Sequence, residues 1–244
     1  MPNEAVESAP VVDWFGDTYR LIPSRFPPVN VYDGIVADDQ LDAVYAAEEL
    51  TNPRLKSLGR LASGALNGAT ADPKLQNWNL APFAYGNPDG SLFFDERRPC
   101  LEVLTDRQTA LAVSVAKREA FLRSTQEAAT GLDMRMLRHP VRGKFWDLRD
   151  SIAPLSELDQ SDRWSIGKAI PEGVDGILYR SAERPVGTCI TILTGNVLGR
   201  SVQTVHFRYQ WDGSRIARVY VFNDEGTEIS PAALIGSDDV LAAA

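Results

Sequence analysis

The sequence is poor in the residues on which most metal and thiol chemistry depends. Its 244 residues include two cysteines, Cys100 and Cys189, and two histidines, His139 and His206. These four residues are widely separated and share no zinc-ligand spacing, and two distant cysteines do not make the framework of a disulfide scaffold. We therefore expect no metal site and two reduced, buried thiols.

Clustered positive charge and long apolar runs are also scarce. The net charge is -8, and the isolated basic clusters "ERRP" and "RMLRHPVRGK" are typical of a solvated surface, so direct nucleic-acid binding is not expected. No apolar run approaches the roughly 20 residues that cross a bilayer, and the acidic start "MPNEAVESAP" is unlike a signal peptide. The sequence predicts a cytoplasmic protein without a membrane partner.

Common catalytic motifs are absent as well. The sequence contains no Walker loop, no GxGxxG, no HExxH and no nucleophile elbow. Most familiar hydrolase and nucleotide-binding classes therefore lose support.

Short strand patterns run through the chain with few helices between them. Strands are predicted in "DTYRLI" (17–22), "PCLEVLT" (99–105), "VDGILYRS", "TCITILT", "VQTVHFRYQW" and "RIARVYVFN". "LDMRMLRH" and "KFWDL" are predicted as two further strands joined by a turn at "PVRG". The pattern favours one α+β domain with a mixed, mainly antiparallel sheet flanked by helices. Its predicted bounds are 17–230, after a flexible segment at 1–16 and before a tail at 231–244.

The stretch "TALAVSVAKREAFL" (109–122) predicts a helix capped by Asp106. Leu111, Val115 and Leu122 form one apolar stripe, and small residues including Val113 form a second side, so its first turns should lie between two layers. Other helices are predicted after Asp38 and Asp39 and at 161–170 with Ser161 as the cap, and a long loop is predicted at 63–90.

Six segments in a fixed order resemble the RES-domain family in its longer subgroup. They are "YRLIPSRFPPVNVYD", "LDAVYAAEELTNPRL", "DRQTALA" followed by "AKREAFL", "LDMRML", "DGILYRSAERPVGT" and "YQWDGSRI". The resemblance implies an α+β fold similar to ADP-ribosyltransferases. It also implies bacterial toxins that degrade NAD+ by hydrolysis or phosphorolysis and are paired with a helix-turn-helix antitoxin.

The resemblance assigns site residues position by position. The family uses two arginines, a tyrosine, a glutamate and a serine; Arg20 matches the first arginine and Ser181 matches the serine. The second arginine falls on Leu92, the tyrosine on Glu102 and the catalytic glutamate on Val113. Arg97 or Arg98 is then a candidate replacement for the phosphate contact, and Glu102 is a candidate displaced carboxylate.

These departures bear on the chemistry because cleaving the nicotinamide–ribose bond builds positive charge that a carboxylate should stabilise. Losing one electrostatic contact of this kind costs on the order of 10²–10³ in rate. The resemblance therefore implies a RES-domain protein with weak or lost catalysis and a retained nucleotide site. Two alternatives stay open: an active NAD+-degrading toxin with a rearranged site, and a non-enzymatic interaction or regulatory protein.

Overall fold

The structure is a computed structural model, and it describes residues 4–24, 40, 79, 82–83, 87, 89–223 and 226–241. Helix α1 spans Glu4–Glu7, α2 spans Arg107–Thr125 and α3 spans Gln160–Lys168. The strands are β1 (Val11–Pro23), β2 (Leu101–Leu104), β3 (Thr130–Asp147), β4 (Gly176–Arg180), β5 (Thr188–Ile192), β6 (Val202–Trp211), β7 (Ile216–Phe222) and β8 (Glu228–Ile229). Among the described residues, short 3₁₀ turns span Leu155–Glu157, Gly195–Val197 and Pro231–Leu234.

The eight strands form one sheet in the order β1-β2-β5-β4-β3-β6-β7-β8. All neighbouring strands are antiparallel except β3 and β4, which are parallel. Strand β1 also pairs with β3, so β1, β2, β5, β4 and β3 close into a ring, with β6, β7 and β8 extending from it. The predicted α+β fold with a mixed, mainly antiparallel sheet is confirmed.

Strand β3 corrects one prediction, because "PVRG" is not a turn. Residues 130–147 form a single strand, and thirteen of its residues pair with β1. On its other edge β3 pairs with β6 up to Arg138 and with β4 from Phe145, so Pro140 lies between these two ladders. A proline is tolerated there because its missing N–H interrupts neither ladder.

Both predicted chain ends are also corrected in the residues that the structure describes. Residues 11–16 were expected to be flexible, but they form the first half of β1 and pair with β3. Residues 231–241 were expected to be a tail, but Leu234 and Leu241 are buried in the main core. Residues 11–16 and 231–241 therefore belong to the folded domain.

Gln108, a buried residue in the first turn of α2, holds this C-terminal segment. Its side-chain amide donates to the carbonyls of Leu234 (3.1 Å), Gly236 (3.4 Å) and Asp238 (2.9 Å). Its side-chain oxygen accepts from the backbone N–H of Val240 at 2.9 Å. One glutamine thus contacts four backbone groups of this segment, and the Gly236 carbonyl also accepts from the Arg184 guanidinium at 2.9 Å.

Replacing Gln108 with alanine is expected to lower the free energy of unfolding by about 2 kcal/mol, because it removes four hydrogen bonds to the C-terminal segment, including the buried one to the Leu234 carbonyl. Amide hydrogen exchange at residues 234–241 should speed up at the same time. Urea unfolding and exchange measured by mass spectrometry check this, with the exposed Gln160→Ala as control. Equal stability of the two variants would contradict the assigned clamp.

Helix α2 forms where it was predicted and is capped as predicted. The Asp106 carboxylate accepts from the backbone N–H of Thr109 at 2.8 Å and from its hydroxyl at 2.7 Å. Leu111, Val115 and Leu122 are all buried, as the stripe predicts. In α3 the cap is Asp159 rather than Ser161, and its carboxylate accepts from the backbone N–H of Asp162 at 2.8 Å.

Two hydrophobic clusters line the two faces of the strand ring. The larger one joins α2 to the sheet and to the C-terminal segment, and the smaller one includes Phe145, Leu178 and Ile190. Neither the helix predicted after Asp38 and Asp39 nor most of the loop predicted at 63–90 lies within the described residues. No helix among the described residues is long and apolar enough to cross a membrane.

Candidate nucleotide-binding cleft

A cleft of about 590 Å³ opens between helix α2 and the face of the sheet that α2 covers. Strands β1, β2, β4 and β5 contribute Arg20, Glu102, Tyr179 and Cys189, all of which line it. The size lies within the range of small-molecule sites. Successive turns of α2 contribute further residues, namely Ala110, Val113, Ser114, Lys117 and Arg118.

Arg20 reaches the cleft from β1, next to strand β2. Burial holds the pKa of its guanidinium below the ordinary value, and the nearby Arg118 acts in the same direction, while the charge of Glu102 opposes them. Among the residues that the structure describes, no ion pair or hydrogen bond of the Arg20 guanidinium is recorded. A half-buried guanidinium without a described partner is suited to an anionic ligand.

Glu102 points from β2 into the same cleft, where it forms an ion pair with Lys117 of α2. The Lys117 ammonium lies 2.5 Å from a Glu102 carboxylate oxygen. Burial acts to raise the pKa of Glu102, but the charge and hydrogen bond of Lys117 outweigh it and the pKa is lowered. The Lys117 side chain is 60% exposed, so solvent screens the pair and its contribution to stability is small.

Val113 and Leu92 place apolar groups where the family resemblance expects charged ones. Both line the cleft, and Val113 is 9% exposed. Leu92 is carried by the loop after Gly90, whose φ of +74° would strain any other residue. A Cβ at Gly90 would also come within 2.7 Å of the Phe94 carbonyl oxygen. The loop that positions Leu92 therefore requires this glycine.

Ser181 lies behind the cleft wall rather than on it. It is 3% exposed, and its hydroxyl donates to a Glu183 carboxylate oxygen at 3.0 Å. The same Ser181 oxygen accepts from the backbone N–H of Arg184 at 3.2 Å. Glu183 does line the cleft, so Ser181 acts here by holding that carboxylate in place.

Arg97 and Arg98 differ in their position relative to the cleft. The Arg97 side chain is 85% exposed, pairs with Glu96, and does not line the cleft. Arg98 lies over the Phe94 ring at 4.8 Å and borders a smaller cavity of about 180 Å³, which Arg20 also lines. Of these two candidates, only Arg98 shares a cavity with Arg20 among the described residues.

Several residues of the cleft were missed at the sequence level, among them Lys117, Arg118, Arg163, Tyr179 and Glu183. The residue four positions after Val113 shares its helix face, so that spacing could have indicated Lys117. Tyr179 packs edge-on against Phe93 with ring centroids 5.0 Å apart. Burial raises its pKa well above the ordinary value, so its hydroxyl stays neutral.

The two cysteines border the cleft but are not activated. Burial raises the pKa of Cys100 to about 11 and that of Cys189 to about 12. Both are free thiols, as predicted, and at neutral pH they are protonated and poorly nucleophilic. No group of three or more metal-ligand side chains occurs among the described residues.

Comparison with known proteins identifies the family of this chain. The sequence model of the RES domain matches residues 70–212. This chain belongs to the RES-domain family. The predicted family is thereby confirmed, and the match includes Glu102, Val113 and Ser181, whereas Arg20 lies before it.

A close relative covers nearly the whole chain. The RES-domain protein described here is 54% identical over 224 residues to uncharacterized protein y4oC of Sinorhizobium fredii, covering 92% of this chain and 95% of that protein. A more distant similarity is to the crystal structure of the MbcT-MbcA toxin-antitoxin complex of M. tuberculosis. That similarity has 14% identity and a TM-score of 0.41, and covers 83% of this chain and 93% of that chain.

Proposed function

We propose that this RES-domain protein binds an NAD+-type nucleotide in the cleft beside α2 and cleaves it weakly or not at all. The observation that carries the proposal is the face of α2 that borders the cleft. It presents Val113 where the family resemblance expects the catalytic glutamate, while Arg20 remains opposite. One of the two arginines that the resemblance expects is thus kept in the cleft, and the acid is missing.

The charge of the cleft supports nucleotide binding. Its described lining includes Arg20, Lys117, Arg118 and Arg163, but only two acids, Glu102 and Glu183, although the whole chain has a charge of -8. A basic cleft in an acidic protein attracts anions, and arginine pairs with two phosphate oxygens at once. Tyr179 offers an aromatic edge for a base or ring.

The same residues argue against efficient cleavage. Leaving nicotinamide generates positive charge on the ribose, which needs a nearby carboxylate. Glu102 is already paired with Lys117, so its charge is largely balanced. The alternative of an active toxin that uses Glu102 with Arg97 is weakened further, because Arg97 does not line the cleft.

A helix-turn-helix antitoxin as partner and a cytoplasmic location follow from the family resemblance and the sequence, and both stay part of the proposal. Co-expression with a neighbouring gene product and co-purification test the partner. The third possibility, a pure interaction protein, predicts no nucleotide binding at all.

Replacing Arg20 with glutamine is expected to weaken NAD+ binding by at least about tenfold, because one guanidinium–phosphate contact contributes about 1.5–3 kcal/mol. Isothermal titration calorimetry measures the change, and circular dichroism checks the fold. The matched control is Arg142→Gln, the same change at an exposed position on β3. Equal affinities for both variants would contradict a nucleotide site at Arg20.

A further inference from the structure

The proposed function leaves one question about the cleft, namely which end of the nucleotide its charges suit. The face of α2 that borders the cleft carries Val113, then Lys117 and Arg118 one turn later. Where the family resemblance expects an acid, this chain therefore has an apolar residue followed by two cations. The sign of the charge on this face is reversed.

The two carboxylates of the described lining do not restore a negative site. Glu102 is paired with Lys117 at 2.5 Å. Glu183 is held by the Ser181 hydroxyl at 3.0 Å, and its charge also acts on Lys117. Both acids thus face the same lysine, and neither is left to balance a cation on a ligand.

Besides Lys117, the positive charge of the cleft comes from Arg20, Arg118 and Arg163. Arg20 and Arg118 line the same cleft, and the charge of Arg118 acts to lower the pKa of Arg20. Among the described residues, neither has a recorded ion pair with an acid. Like charges brought together in a cleft are unfavourable unless an anion lies between them. A pyrophosphate bridging Arg20 and Arg118 removes this repulsion, and Arg118 then replaces the arginine that is absent at Leu92.

We infer that the cleft selects nucleotides that carry the pyrophosphate but lack a cationic ring, such as ADP-ribose or NADH, over NAD+. This inference rests on the proposed function and specifies its ligand. NAD+ and NADH have nearly the same shape and differ in the charge of the nicotinamide ring. ADP-ribose keeps both phosphates and lacks the nicotinamide ring. The cations on α2 repel only the pyridinium of NAD+.

Calorimetric titration of the full-length protein with NAD+, NADH and ADP-ribose at one ionic strength tests the inference. NADH and ADP-ribose are expected to bind on the order of tenfold more tightly than NAD+, the effect of one partly screened charge contact. Raising the salt concentration should weaken the binding of all three. Chromatography of each sample confirms that the ligand is intact.

Two variants separate the roles of the cations. Arg118→Gln should weaken the binding of all three ligands about tenfold, because it removes a pyrophosphate contact. Lys117→Gln should reduce the difference between the affinities for NADH and for NAD+. The control is Arg123→Gln on the same helix, where Arg123 pairs with Glu119 and does not line the cleft; it should leave all affinities unchanged.

The possible failures are distinguishable. NAD+ binding as tightly as NADH, with a loss on Arg20→Gln, overturns the selectivity and leaves the nucleotide site in place. Absence of binding by all three ligands overturns the selectivity and the proposed function together. Arg118→Gln that binds like Arg123→Gln overturns the assignment of Arg118 to the pyrophosphate.

Discussion

Replacing Val113 with glutamate is expected to raise nicotinamide release from NAD+ by on the order of 10²-fold over the wild-type protein, because it returns a carboxylate to the cleft where positive charge develops. The position is suitable, since Val113 lines the cleft on the helix that faces Arg20. A glutamate there also precedes Lys117 by four residues, an arrangement that stabilises a helix. The new side chain is therefore compatible with α2 as well as with the reaction.

Two controls show whether the effect of Val113→Glu comes from its charge in the cleft, from the size of its side chain or from an added acid anywhere on the helix. Val113→Gln has the same shape without the charge, and Ala120→Glu adds the charge at an exposed position of the same helix. Both should release nicotinamide at the wild-type rate, measured by chromatography over time. A folded Val113→Glu protein that is no faster than Val113→Gln would show that the missing acid does not limit the reaction.

Acidification is expected to destabilise the fold strongly through His139. This histidine is fully buried on β3, and burial, aided by the charge of Arg20, lowers its pKa to about 3. Its Nδ1 contacts the Ser201 hydroxyl, which donates to the Asn79 side-chain oxygen at 2.5 Å. This network assigns the proton to Nδ1, and Nε2 has no partner among the described residues.

The direction of the pH effect follows from the lowered pKa. In the unfolded chain a histidine titrates near pH 6.5, so below that pH the unfolded state binds a proton that the folded state excludes. The contribution of neutral His139 to the free energy of unfolding is therefore fully present above pH 6.5 and is lost as the pH falls toward about 3. At about 1.4 kcal/mol per pH unit, the loss reaches roughly 3 kcal/mol by pH 4.5.

Urea unfolding between pH 7 and pH 4.5 measures this dependence, and the matched pair of variants is His139→Gln and His206→Gln. The free energy of unfolding should depend less steeply on pH for His139→Gln than for His206→Gln, by the slope that corresponds to about one proton bound on unfolding. The remaining pH dependence comes from other acidic groups, which titrate in all the proteins. NMR of the wild-type protein gives a test that needs no variant, since the His139 ring signals should not titrate over this range. A His139 ring that titrates near pH 6 would contradict the assignment.

The elements that were predicted correctly are those fixed by nearby residues. The hairpin of β6 and β7 follows from alternating residues on either side of "DGS", and α2 follows from Asp106 and its apolar stripe. The continuity of β3 could not be predicted in this way. Its pairing with β1 joins residues more than a hundred positions apart, and this pairing outweighs the local turn signal of Pro140 and Gly143.

The cleft likewise combines residues that the sequence indicates with contacts that depend on how distant segments pack together. Arg20, Leu92, Glu102 and Val113 were singled out by the family resemblance, and the structure places all four around one cleft. Lys117 shares the helix face of Val113, but the family resemblance assigns it no role. The pairing of Lys117 with Glu102 depends on how α2 lies across β2, which no local pattern specifies.

We propose that the cleft still binds its nucleotide and has lost the group that cleaves it. Incubating the protein in excess over NAD+, and then measuring both retained NAD+ and free nicotinamide in the same sample, tests this most directly. We predict intact NAD+ retained by the wild-type protein, lost with Arg20→Gln, and little or no nicotinamide over hours. Rapid and complete conversion to nicotinamide by the wild-type protein, abolished by Arg20→Gln, would contradict the account.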